Sequence, residues 1–101
     1  MKVFKFGGAS VKDAAGVQNL VLILEKVGFK ETLIVVSAMG KTTNALEAII
    51  ETYFKNKKQI PTGILPLKIF HLDVVKDLFR EKSGEVEAVI HQLFEELIAF
   101  F

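Results

Sequence analysis

Two kinds of hydrophobic spacing divide the chain. Lys2 to Phe6 and Thr32 to Ser37 (Thr-Leu-Ile-Val-Val-Ser) are short apolar runs that read as strands. The second is continuously apolar and β-branched, the pattern of a strand covered on both faces. Between them Val17, Leu20, Val21, Leu24 and Val27 recur at helical spacing. Asp13 stands where a helix of this extent would be capped at its start, and Gly28 where it would be capped at its end. Strand, helix and strand in this order predict a βαβ unit with parallel strands and a right-handed crossover.

From about residue 43 onward the spacing is helical throughout. A helix starting at Thr43 or Asn44 would present Leu46, Ile49, Ile50, Tyr53 and Phe54 on one face. Lys55, Lys57 and Lys58 suit the negative end of its dipole and read as a solvated helix end. Gln59 to Gly63 reads as a loop, and Pro66 fits the first turn of a third helix reaching about Glu81. Lys82-Ser83-Gly84 breaks the chain, with Ser83 as the expected cap of a last helix. That helix would bury Val86, Val89, Ile90, Leu93, Phe94, Leu97, Ile98 and Phe101. Two parallel strands do not make an independently stable sheet. With its apolar final residues Ile98-Ala99-Phe100-Phe101, the chain is therefore expected to be a piece of a larger α/β protein. Otherwise it must complete its core with copies of itself.

The chemistry concentrates where the first strand ends, in Lys5-Phe6-Gly7-Gly8-Ala9-Ser10. Adjacent glycines admit positive φ and leave their amides unshielded, so the backbone can come close to an oxyanion. Lys5 adds a mobile positive charge suited to phosphate oxygens. A strand, a glycine turn and a helix are the usual parts of a phosphate site at the carboxyl end of an α/β sheet. The glycines alone leave open a plain strand-to-helix turn that binds nothing. Gly40-Lys41-Thr42 invites comparison with a P-loop, but that motif needs a glycine where Val35 stands. Lys41 is then an exposed loop lysine or an auxiliary contact. Ser37 and Thr43 are hydroxyls at a strand end and a helix start, where capping is the plain alternative to ligand binding.

Taken together, KFGGASV at residues 5–11 and VVSAMGKTTN at residues 35–44 resemble the two opening motifs of the aspartokinases, in the amino-acid kinase superfamily. Ala9 stands where many members have threonine, a small-for-small change. The resemblance covers essentially the whole chain and corresponds to the first part of such an enzyme. It implies that residues 1–101 are the N-terminal portion of a three-layer α/β/α kinase domain, with an incomplete parallel sheet. It further implies phosphoryl transfer from ATP with Mg2+ to the side-chain carboxylate of L-aspartate. Lys5 would be the catalytic cation, and Lys5, Phe6, Gly7, Gly8 and Ser10 would hold the nucleotide phosphates. Ser37 and Thr43 would contact the amino acid, and the intact enzyme would be a homo-oligomer. Remaining substrate contacts, the nucleotide-base pocket and regulatory domains would lie in later segments, so the chain alone is expected to be inactive.

Composition narrows the picture further. Half of the 101 residues are hydrophobic, and the mean hydropathy is +0.38, high for a small domain, so part of its apolar surface is expected to meet another domain or subunit. A formal net charge of +1 offers no broad field for nucleic acid or an anionic membrane. The absence of cysteine excludes disulfides and thiolate metal sites, and fits the cytoplasm. No metal site is expected: His71 lies among apolar helix residues, and His91 sits between Glu87 and Glu95 on a solvated face with local ion pairing. Two rival readings stay open. One is a family member acting on glutamate, acetylglutamate, carbamate or a nucleotide, and the other is a non-enzymatic interaction module that docks through the last helix.

Overall fold

The computed structural model describes all 101 residues, Met1–Phe101, as an α/β chain with two strands and four α-helices. It divides into two compact units, Met1–Thr42 and Thr43–Phe101.

The first unit is built on β1 (Lys2–Phe6), α1 (Ala14–Val27) and β2 (Thr32–Val36). The strands pair in parallel, from Lys2 opposite Thr32 to Phe6 opposite Val36. Ser37 falls one residue beyond the strand, although its N–H still donates to the Phe6 carbonyl at 2.9 Å. Helix α1 begins and ends where its sequence signals stand. The Asp13 carboxylate accepts from the Gly16 N–H at 2.8 Å, and Gly28, at φ 87°, donates to the Leu24 carbonyl at 2.9 Å. Of the expected stripe, Val17, Leu20 and Leu24 are half-buried, while Val21 and Val27 are exposed. The expectation that β2 is covered on both faces is not met. Leu33 is 50% exposed and Val36 52%, because this sheet has only two strands and little lies against them.

The second unit contains most of α2 (Thr42–Lys55), then α3 (Ile60–Phe79) and α4 (Gly84–Phe100). Its core is Ile49, Ile60, Ile64, Leu67 and Phe94, with Leu46, Tyr53, Ile90, Leu97 and Phe101 packed against it. On α2, Ile50 and Phe54 stay exposed, contrary to the sequence expectation. On α4 only Phe94 is fully buried, and Val89, Leu93 and Ile98 are open. Each of these helices carries a wider apolar stripe than its neighbours in this chain cover.

The segment read as a loop, Gln59 to Gly63, is mostly helix. Lys57–Gln59 form a 3-10 turn and α3 starts at Ile60, with Pro61 rather than Pro66 in its first turn. Pro66 lies inside α3, where it cannot donate to the carbonyl four residues back; an interior proline costs about 3 kcal/mol. Continuing the helix through it buries Ile60 and Ile64 almost completely, at roughly 1.5–3 kcal/mol each. Burial outweighs the local penalty. α3 stops at Phe79, short of Glu81, and a 3-10 turn, Arg80–Lys82, follows. Ser83 is not a side-chain cap. Its backbone is already helical, and its buried hydroxyl donates to Glu87 Oε2 at 2.6 Å. Glu87 also faces Lys76 at 3.8 Å, so the exposed His91 is left without the ion pair expected of it. His71 is half-buried, with Nδ1 2.9 Å from the Leu67 carbonyl and its ring edge-on to Phe94. No helix is long and apolar enough to cross a membrane.

Candidate functional site

Parallel pairing puts the carboxyl ends of β1 and β2 at one edge of the sheet, so the loops that follow them emerge side by side. The first loop, Gly7 to Lys12, folds into consecutive turns. The Ser10 N–H donates to the Gly7 carbonyl at 3.0 Å, and the Val11 N–H to the Gly8 carbonyl at 3.3 Å. Val11, 2% exposed, anchors it. The amides of Gly7, Gly8 and Ala9 donate to no backbone carbonyl. Three successive N–H groups are thus left for another acceptor, the arrangement that suits an oxyanion.

The glycines are needed here for a reason other than positive φ, which neither adopts. Gly8 sits in a tight contact. A Cβ on it would lie 3.2 Å from the Gly40 carbonyl oxygen, 3.7 Å from that of Ala38 and 3.9 Å from Ser37 Oγ. Gly8 is therefore where the two loops touch. Gly7 faces the opposite situation, since a Cβ there would meet nothing within 4 Å. A side chain at Gly7 would point into open space.

The second loop, Ser37 to Lys41, turns at Gly40, whose φ of 55° is left-handed. Thr42 closes it: both its N–H and its hydroxyl donate to the Met39 carbonyl. Lys41 is exposed.

The structure thus brings Lys5, Phe6, Gly7, Gly8 and Ser37 to one edge. Lys5 is exposed on β1, with Phe4 and Phe6 half-buried at the alternate positions. The Phe6 carbonyl is engaged by Ser37, which ties the loops at their base. Ser10 lies farther along, with an exposed side chain and its N–H used in the turn. Thr43 is the first residue of the second unit, exposed on the first turn of α2. Sequence reasoning missed two contributors, the free amide of Ala9 and the Gly40 carbonyl that meets Gly8. A glycine between Met39 and Lys41 was the available signal for the latter. No three His, Cys, Asp or Glu side chains converge as a metal-holding group.

Comparison with known proteins places the chain in a family. Residues 1–99 match the model of the amino acid kinase family. A bifunctional aspartokinase/homoserine dehydrogenase from Buchnera aphidicola subsp. Acyrthosiphon pisum (strain APS) is 32% identical over 102 residues. That alignment covers 96% of this chain and 12% of the relative, so the chain spans about an eighth of that protein's length.

Proposed function

This chain belongs to the amino acid kinase family, and from that premise we propose that it supplies the phosphate-binding edge of an aspartate kinase. The reaction moves the γ-phosphoryl of MgATP to the side-chain carboxylate of L-aspartate, giving aspartyl phosphate and ADP. It would be the first step toward the aspartate-derived amino acids lysine, threonine and methionine, carried out in the cytoplasm by a homo-oligomer. The observation that carries the reading is the run of free amides at Gly7, Gly8 and Ala9, just past Lys5 and against the Ser37–Gly40 loop.

The chemistry asks little covalent work of the protein. An aspartate carboxyl, with a reference pKa of about 3.9, is already ionised at neutral pH and needs no general base. The obstacle is bringing two anions together and stabilising charge on the equatorial phosphoryl oxygens. In this reading Lys5 and the three amides supply that stabilisation, while Ser37 and Thr43 orient the amino acid and Ser10 borders the phosphates. Magnesium would enter as the counter-ion chelated by the nucleotide phosphates.

The test is acyl-phosphate trapping with hydroxylamine on the complete gene product, with MgATP and aspartate set against glutamate and acetylglutamate. Aspartate-dependent hydroxamate is the expected result. Hydroxamate with another acid would overturn the substrate and keep the site. No signal from folded protein would favour a second reading, a docking module. The open Phe54 and Phe100, 79% and 83% exposed, speak for that alternative.

A further inference from the structure

The helix that follows the glycine loop has its N-terminus already occupied by a carboxylate of the same chain. Asp13 accepts from the Gly16 N–H at 2.8 Å, and the Asp13 carbonyl accepts from Val17 at 3.1 Å. This has two physical consequences. An anionic ligand brought to the start of α1 would meet a carboxylate there, so that terminus is a poor place for a phosphate. The anion-binding role passes to the amides upstream, at Gly7, Gly8 and Ala9.

Those amides are tied to Asp13 through a short rigid path. Turn hydrogen bonds fix Ser10 on Gly7 and Val11 on Gly8, and Val11 is buried. The Ser10 carbonyl then lies against Gly16, so close that a Cβ on Gly16 would come within 2.4 Å of its oxygen. Gly16 thus donates to Asp13 while the Ser10 carbonyl leaves no room for a side chain on it. The glycine loop and the first turn of α1 therefore meet at Gly16.

Building on the proposed kinase function, we infer that Asp13 is a positioning residue for the phosphate loop. It holds Gly16 and, through the Ser10 contact, sets the amides of Gly7, Gly8 and Ala9. What it contributes to the position of the loop is the hydrogen bond rather than the charge. Asparagine or serine, which also cap well, should therefore replace it.

The experiment compares Asp13→Ala, Asp13→Asn and Asp13→Ser in the complete gene product, reading KM for MgATP, kcat and melting temperature. Losing a cap, if fully expressed in nucleotide binding, corresponds to about a fivefold change. Asp13→Ala is expected to raise KM for MgATP by about that factor, with kcat at saturation kept within about twofold. Asp13→Asn and Asp13→Ser are expected to restore KM. An unchanged KM in Asp13→Ala overturns the inference, and so does Asp13→Asn behaving like Asp13→Ala, which would assign the effect to charge. A drop in melting temperature with no KM change would reduce Asp13 to a plain helix cap, also against the inference. If the wild type binds MgATP by calorimetry but makes no aspartyl phosphate, the proposed function fails. The three variants then test Asp13 through the Kd for MgATP, with the same expected pattern. A wild type with no MgATP affinity overturns the inference itself.

Discussion

The two adjacent glycines make a sharp test, because the structure gives them opposite jobs. Alanine at Gly7 adds a methyl that meets nothing within 4 Å, and the backbone there is outside the left-handed region. Folding should tolerate it, with a gain of about 0.4–1 kcal/mol from the stiffer unfolded chain. In the proposed site, however, the methyl would crowd a phosphate held by the Gly7 amide. Losing even one hydrogen bond to a charged phosphate is worth about 1.5–3 kcal/mol. KM for MgATP should therefore rise roughly 10- to 100-fold while the melting temperature holds. Alanine at Gly8 presents the reverse case. Its Cβ would come 3.2 Å from the Gly40 carbonyl oxygen, so the loops must part by roughly 0.3 Å to reach ordinary contact. A misplacement of 1 Å can cost about 100-fold in rate, so 0.3 Å corresponds to about fourfold. The entropic gain seen at Gly7 should be cancelled here by the strained contact. Steady-state kinetics and thermal unfolding of both variants in the complete gene product give the four numbers needed. A Gly7→Ala enzyme with normal KM for MgATP would refute the assignment of the amides. One that melts markedly earlier would refute the open space beside Gly7.

Lys5→Ala should lower turnover by roughly 100-fold or more, as the loss of one oxyanion donor does; near-normal kcat would remove Lys5 from the mechanism. Pro66→Ala should stabilise α3 by about 1–2 kcal/mol in urea unfolding, since it restores a hydrogen bond to a helix already committed by burial. Destabilisation instead would mean that the proline is needed where it stands. The 101-residue chain alone should give no hydroxamate in the trapping assay, and measurable turnover would show that the sheet edge suffices without further structure.

The legible parts of this fold are those decided locally. Lys2–Phe6 and Thr32–Val36 are short apolar runs with turn residues on either side. Asp13 and Gly28 mark α1 because a cap is chosen within one turn of the helix it ends. In the segment Gln59 to Gly63 the proline and glycine argue for a loop, and the opposing contribution is the burial of Ile60 and Ile64 in a core assembled from distant residues. The same division runs through the site. Lys5 and the glycine pair could be found from residue type and order. The separate tasks of Gly7 and Gly8 could not, since they depend on where the Ser37–Gly40 loop comes to rest. Adjacent glycines suggest positive φ, which holds for neither; at Gly8 the close approach of the second loop is what the missing side chain serves.

The open sheet bears directly on whether the site can work. Val3, Leu33, Ile34, Val35 and Val36 are between 37% and 59% exposed, on both faces of a two-stranded parallel sheet. Such sheets are normally covered on both sides. Fully burying a Val, Leu or Ile is worth about 1.5–3 kcal/mol, so covering these five half-open side chains would contribute several kcal/mol. That free energy would go to whatever strands or helices complete the sheet. It would also act on the loops, because Gly7 and Ser37 follow the last paired residues of the two strands. A strand free to twist or fray carries its loop with it, and a shift of a few tenths of an ångström is already enough to weaken positioning of the kind Gly8 and Asp13 provide. In the proposed kinase, completing the sheet and ordering the phosphate loop are therefore one event. The apolar faces of β1 and β2 belong to the catalytic argument as much as Lys5 does.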